Sequence, residues 1–359
     1  MSSDALEIVT VSAGGSRFTA WEEVSIEASC RDACRSFTLK AAAEFGSQHL
    51  FSVFAAGAPV TIAAGSDLVL TGYVDRARPR ISPKRYEITI TGRSKGQDLV
   101  DCAAVHPSGH LEDVTVADLA SALDIFGVGI SSVVDRLPAL PKVQIVPGLT
   151  VHQTIEPLVR AAAATLMGKA DGSVVIWNAA KAKKHRGSLV EGVNIEEGAA
   201  DHDMSGRHSR YIVKGQRPYG SGPDALEIEA IARDAGVARD RPTIIVVEED
   251  TDRGRVKSKA RNRRDKAAGK GLSAEIKVAG WRDSFGELWT PGHLVWTEST
   301  SLAVVQDMLI ETVSYAQGDT TAATLHLVDP RAHGGKAGKG RKSGKAWAMD
   351  TSEASEARE

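Results

Sequence analysis

The chain has 359 residues, of which 42% are hydrophobic and 25% charged, with a formal net charge of −2 at neutral pH. That length predicts two or three domains with real cores, and the near-neutral balance gives no bulk preference for nucleic acid or an acidic substrate. Three cysteines, Cys30, Cys34 and Cys102, make an odd set that argues against a disulfide framework. Met1-Ser2-Ser3-Asp4 lacks the basic region of a signal peptide, and no apolar run approaches the roughly 20 residues a membrane span needs. Synthesis in a cytoplasm is the expectation.

Residues 5–100 read as β structure. In Arg85 to Thr91, Tyr86, Ile88 and Ile90 share one face and Glu87 and Thr89 the other, the period of a half-buried antiparallel strand. Val24, Ile26 and Ala28 alternate with Glu23, Ser25 and Glu27, and Phe37 and Leu39 with Ser36, Thr38 and Lys40. Gly14-Gly15, Gly65-Ser66 and Ser82-Pro83 supply the turns, so a sandwich or barrel is expected. Short helices are then predicted over 97–104 and 114–123, with Thr115 as N-cap and Asp118 three residues on. A third is predicted over 151–167, with Pro157 near its first turn or at a kink. Asp171-Gly172 turns the chain into a strand over 173–177. Further strands are expected over 211–213, 243–247, 274–278, 294–296, 307–313 and 324–328, with a strongly basic helix over 253–270. From Arg331 the chain is Gly/Lys-rich and then Ser/Glu-rich, the composition of a disordered tail.

A weak repeat links the two β regions. Pro59 to Ile62, Thr71 to Asp75 and Tyr86 to Ile90 are matched in order by Pro291 to Val295, Met308 to Val313 and Thr324 to Leu327. The predicted division is a first β-barrel domain over 1–100, a small α+β domain over 101–204, a second barrel over 205–330 carrying the basic helix, and a tail over 331–359. The fold class is mainly β, two antiparallel barrels flanking a mixed α/β domain.

Gly72-Tyr73-Val74-Asp75, Ile88 to Lys95 and Asp98 to Cys102 resemble the signature stretch of the baseplate hub proteins of Mu-like contractile-tailed phages. Ser16-Arg17-Phe18, Trp21 to Val24 and Phe37 to Leu39 resemble that family's opening strands, and Leu325 to Pro330 its closing strand. The likeness runs to about residue 330, loosely in the middle. It implies kinship with the T4 hub and the base of type VI secretion spikes, and two tube-like barrels per chain. It further implies a homotrimeric ring joining a sixfold tail tube to a threefold spike in the virion baseplate. The partners implied are other copies of the chain, the spike, the tube and other baseplate proteins. The charged C-terminal extension has no counterpart in that pattern.

Four groups of residues invite a chemical reading. Gly92-Arg93-Ser94-Lys95-Gly96 has the form of a hydrolase nucleophile elbow, but the β structure before it lacks the alternating β/α order that fold requires. Cys102, His106 and His110 with Glu112 and Asp113 are zinc-type ligands, yet Pro107-Ser108-Gly109 interrupts any helix that would align them. Asp201-His202-Asp203 with His208 reads as a polar linker. The basic residues Arg253, Arg255, Lys257, Lys259, Arg261, Arg263, Arg264, Lys266 and Lys270 could touch DNA in a tail channel, but no aromatics are interleaved for base stacking. Lys336, Lys339, Lys342 and Lys345, followed by Trp347, could form a docking arm. A cell-wall lytic module in 101–204 would need paired carboxylates in a cleft. The expectation is a structural protein, not an enzyme, with no catalytic, cofactor-binding or metal residues and no cofactor.

Overall fold

The computed structural model describes residues 7–43, 52–83, 85–135, 137–215, 228–247 and 253–340. Its centre is one 13-stranded sheet to which both ends of the chain contribute. The N-terminal part supplies β1 (Val9–Ala13), β2 (Ser16–Phe18), β3 (Glu23–Ser29), β4 (Ser36–Ala43), β5 (Pro59–Ala64), β6 (Asp67–Ser82) and β7 (Arg85–Ser94). The C-terminal part supplies β13 (Lys184–Val190), β14 (Glu197–His202), β18 (Leu272–Ala279), β19 (Leu294–Ser299), β20 (Val304–Gln317) and β21 (Thr321–Val328). The order is β14-β18-β21-β20-β3-β4-β7-β6-β5-β1-β2, with β19 beside β20 and β13 beside β19. Alternating side chains of both halves fill one core, in which Ile26, Leu39, Ile90, Ile276, Val313 and Leu325 are inaccessible to solvent.

The two expected barrels are therefore not separate closed units. Among the described residues the sheet path stays open, because β14 pairs only with β18 and the second half of β6 pairs only with β7. The halves are joined by backbone pairing of β20 with β3, Val313 opposite Ala28 and Tyr315 opposite Ile26.

The repeat is visible in the pairing. β5-β6-β7 and β19-β20-β21 are antiparallel meanders, each with a bulge in its long central strand. One bulge lies between Val74 and Arg76, the other between Ile310 and Thr312. Superposing the bulges makes Asp75 equivalent to Glu311 and Ile90 to Leu325. The next two strands follow in register, so β3-β4 corresponds to β14-β18. Glu23 bonds Lys40 at 2.9 Å across the first pair, and Glu197 bonds Lys277 at 3.2 Å at the equivalent positions of the second. Pro59 then matches Leu294, three residues from the Pro291 that sequence matching suggests.

The middle segment folds around its own core of Leu99, Val116, Leu119, Leu123, Ile155, Val159 and Ile176. It contains α1 (Gln97–Asp101), β8 (His110–Thr115), α2 (Val116–Leu123), β9 (Ile130–Ser132), β10 (Ala139–Gln144), α3 (Val151–Ala161), β11 (Thr165–Gly168) and β12 (Val174–Trp177). Thr115 caps α2 with Asp118 as its reciprocal partner, and Thr150 and Gln153 do the same for α3. Two helices are shorter than expected. α1 stops where Cys102 turns extended, and α3 ends before Ala163, whose φ of 55° is left-handed. Met167, expected to be helical, lies in β11. Pro157 is inside α3, beyond its first turn.

β15 (Arg210–Gly215), β16 (Ile228–Arg233) and β17 (Pro242–Val247) form a separate small sheet covered by α4 (Arg253–Lys270). This unit is inserted between β14 and β18 of the large sheet. Conversely β13 and β14, which the sequence division groups with the middle segment, belong to the large sheet. The start of the expected disordered tail is folded. Pro330–His333 form a 3₁₀ turn against α4, so close that a Cβ on Gly269 would lie 2.1 Å from the Ala332 nitrogen, and Asp307 N–H donates to the Lys339 carbonyl. Lys342, Lys345 and Trp347 lie outside the described residues.

Candidate assembly interface

Ser94 closes β7 in full burial, and its hydroxyl accepts the Arg35 backbone N–H at 2.9 Å. Gly92 and Gly96 are glycines for packing. An added Cβ would lie 2.1 Å from the Tyr73 carbonyl at Gly92 and 2.1 Å from the Ala33 carbonyl at Gly96. The glycine–serine motif is thus a close crossing of backbones, and the exposed strained turn of a nucleophile elbow is not what these residues form. Beside it the buried Arg35 guanidinium donates to the carbonyls of Gly168 (3.1 Å) and Val69 (2.7 Å), fastening the middle segment to the sheet. Arg93 adds a surface clasp, bonding Asp75 and Asp101 at 2.7 Å each. That bond holds the Asp101 carboxyl below its ordinary range.

Of the zinc-type residues only His110 and Glu112 approach each other, at 3.8 Å. Cys102 is a helix cap, His106 pairs with the Ser108 hydroxyl, His110 faces the Ser108 carbonyl, and Glu112 meets Lys142 at 3.0 Å. His202 contacts the Leu302 carbonyl, Asp203 accepts from Ser205, and His208 packs on Tyr211. Carboxylates of the middle segment serve structure: Asp118 caps α2, Asp124 accepts from Val128 and Gly129 N–H groups, and Asp135 pairs with Lys181.

One trio that sequence reading missed, His185, Glu287 and His293, brings its ligand-type atoms within 4.8 Å of one another. Glu287 and His293 share the connection between β18 and β19, but His185 comes from the distant β13, so local spacing does not announce the trio. His185 Nε2 accepts the Thr290 backbone N–H at 3.1 Å. In the neutral ring Nδ1 then carries the proton and has no lone pair for a metal. Burial first, and then the neighbouring His185, pushes the His293 imidazole down to about 4.

The surfaces left over are edges. Beyond its bulge β6 presents Arg76, Arg78, Pro79, Arg80 and Ile81, all exposed, and Ile81 is 71% so. At one end of the path β14 presents exposed Glu197, Ala199 and Asp201, with exposed Asp203 just beyond it. Unpaired edges that carry charge and proline resist indiscriminate strand pairing. The exposed face of α4 is basic, including Lys257, Lys259, Arg261 and Arg263, while Val256, Ala260, Ala268 and Gly269 face inward.

Three family models tile this architecture. Residues 8–94 match the Mu phage baseplate assembly protein GpP-like N-terminal domain, residues 96–178 the second domain of gp44-like baseplate hub proteins, and residues 252–334 the fourth domain of the Mu GpP protein. The chain is a phage-type baseplate hub protein, similar to those of Mu-like phages. It is 28% identical over 323 residues to the baseplate hub protein gp44 of Escherichia phage Mu, covering 87% of this chain and 84% of that one. A 43 kDa tail protein of prophage MuSo2 from Shewanella oneidensis is 27% identical, with a TM-score of 0.79 over 90% of this hub chain and 99% of the other. A tail protein from Neisseria meningitidis MC58, 22% identical, shares the fold with a TM-score of 0.75 over 92% and 99% of the two chains. The hub's place is accordingly the tail baseplate of a phage-type particle. Among the described residues no helix is long and apolar enough to cross a membrane.

Proposed function

We propose that this hub acts as a homotrimeric adaptor, receiving the sixfold tail tube on one face and a threefold spike on the other, without making or breaking a bond. The observation that carries the reading is the duplicated sheet. One chain holds two equivalent meanders joined head to tail through β20 and β3, so three chains offer six similar units. A heterologous joint that repeats at a fixed rotation closes a ring. Each half is then a barrel-like segment completed by its neighbour. The division proposed keeps the sequence segments 1–100, 101–204, 205–330 and 331–359 with three changes: β13 and β14 go to the second tube-like sheet, 205–270 becomes an insertion, and 331–340 joins the folded part. Electron microscopy of the purified protein tests the reading: ring particles with six similar lobes and true threefold symmetry are expected, and compact particles with no internal repeat would refute it.

A second reading, DNA contact through α4 as the genome passes, rests on its exposed lysines and arginines. It predicts weak, sequence-blind binding that falls steeply with added salt. Fluorescence anisotropy with a short duplex that shows no salt-sensitive binding would remove it.

A further inference from the structure

We propose that the β6 edge of one copy pairs antiparallel with the β14 edge of the next, Arg78 opposite Asp201 and Arg76 opposite Asp203. This pairing presupposes the ring above and specifies how its chains join.

The template is the joint inside the chain. There Thr312 faces Ser29, Val313 Ala28, Ser314 Glu27 and Tyr315 Ile26. Superposed on the bulges, Thr312 corresponds to Arg76, Val313 to Ala77, Ser314 to Arg78 and Tyr315 to Pro79. Following the register outward through the next strands, Ser29 corresponds to Asp203, Ala28 to His202, Glu27 to Asp201 and Ile26 to Ala200. Repeating the internal joint between copies therefore leaves no free choice of register. The equivalent Glu–Lys bonds in the two halves mark that register independently.

Charge agrees with geometry. Arg76, Arg78 and Arg80 alternate along β6 and so project on one face, and Glu197, Asp201 and Asp203 have the same parity on β14. Directly opposed residues of an antiparallel pair share a face, which sets Arg78 against Asp201 and Arg76 against Asp203, while Arg80 faces Ala199 and Glu197, bonded to Lys277, faces Ser82. Among the described residues Arg76, Arg78 and Asp201 make no ion pair, while Arg80 only leans on Glu87 at 3.8 Å. On the opposite face Ala77 would meet His202, and Pro79 would meet the small Ala200. β14 ends the sheet path, and the second half of β6 is left uncovered because β5 pairs only with its first half.

The test is a cysteine pair, Arg78→Cys with Asp201→Cys, in the full chain with Cys34→Ser and Cys102→Ser. Directly opposed strand residues sit about 4.5–5.5 Å apart between Cα atoms, within disulfide reach. Mild oxidation should give a covalent three-chain species on a non-reducing gel, and the off-register pair Arg78→Cys with Glu197→Cys should not. A trimer by light scattering that forms no link at 78–201, or links equally at 78–197, overturns the pairing and leaves the hub trimer intact. A parent chain that remains a monomer even when concentrated, and forms no link, overturns both. As a second measurement, Asp201→Arg alone should weaken trimer association by about tenfold or more, because like charges then oppose at three interfaces. Arg78→Asp with Asp201→Arg should restore it. Reversal with no effect, or no rescue by the swap, also counts against the pairing. Both sites are exposed, so the melting temperature of the dilute single chain should stay put as the folding control.

Discussion

β20 and β6 occupy the same position in two copies of one meander, yet their outer edges differ in chemistry. Beyond its bulge β20 carries Val313 and Tyr315, both buried, with Tyr315 donating its hydroxyl proton to the Trp289 carbonyl. Beyond its bulge β6 carries half-buried Ala77 and exposed Pro79 at the matching positions, alternating with exposed arginines. An edge covered as the chain folds can be apolar. One that must wait for another chain is guarded by charge, small residues and proline. On the proposed pairing, the contrast separates the contact made in folding from the one left for assembly.

The largest expected effect separates the two edges directly. Tyr315→Ala should cost about 3–5 kcal/mol in urea denaturation, the usual range for truncating a buried aromatic. Its counterpart Pro79→Ala should stay within about 0.5 kcal/mol, as exposed substitutions do. Equal effects at the two sites would break the comparison.

Next come the glycines. Gly72 and Gly92 bring β6 and β7 so close that a Cβ on Gly72 would lie 2.0 Å from the Arg93 carbonyl. The equivalent positions in the second half hold buried Met308 and Leu327. Gly72→Ala should therefore cost about 3 kcal/mol, the upper end of overpacking, because the obstacle is backbone. A neutral Gly72→Ala in thermal melts would mean that the two halves pack alike.

Acid should distinguish the halves too. His293 lies in the second half, where the first has Ala58, and its folded pKa is lowered to about 4 by burial and by His185. A depressed histidine gives stability that is full above the unfolded value of about 6.5 and is lost as pH falls toward 4. About 2–3 kcal/mol should disappear over that window, and His293→Gln should flatten the slope. Hydrogen exchange should show β19 and its neighbours loosening before β5. Loss of stability confined to higher pH would have the wrong sign.

The smallest effect belongs to the matched surface bonds. Glu23→Gln and Glu197→Gln should leave the melting temperature unchanged, since exposed ion pairs mark register more than they stabilise.

Much of this was legible in the sequence. Period-two alternation gave the strands around Ile26, Leu39 and Ile90 because one face of each meets the core. The caps at Thr115 and the basic helix over 253–270 also follow from local pattern. Other features depend on distance. The union of both halves in one sheet rests on β20 meeting β3, nearly 300 residues apart in sequence, and no local signal announces it. The insertion of 205–270 between β14 and β18 is hidden for the same reason. The elbow-like motif at Ser94, set aside on the order of the strands before it, owes its glycines to close packing, which a pattern of letters alone does not separate from a catalytic turn. The alternating arginines at 76, 78 and 80 were in plain view, but their meaning required the acidic edge at the far end of the sheet.

The central claim is a ring of three. Light scattering of the purified full-length protein over a range of concentrations should converge on three chains of 38.0 kDa each. A mass that stays at one chain up to the highest soluble concentration would contradict it.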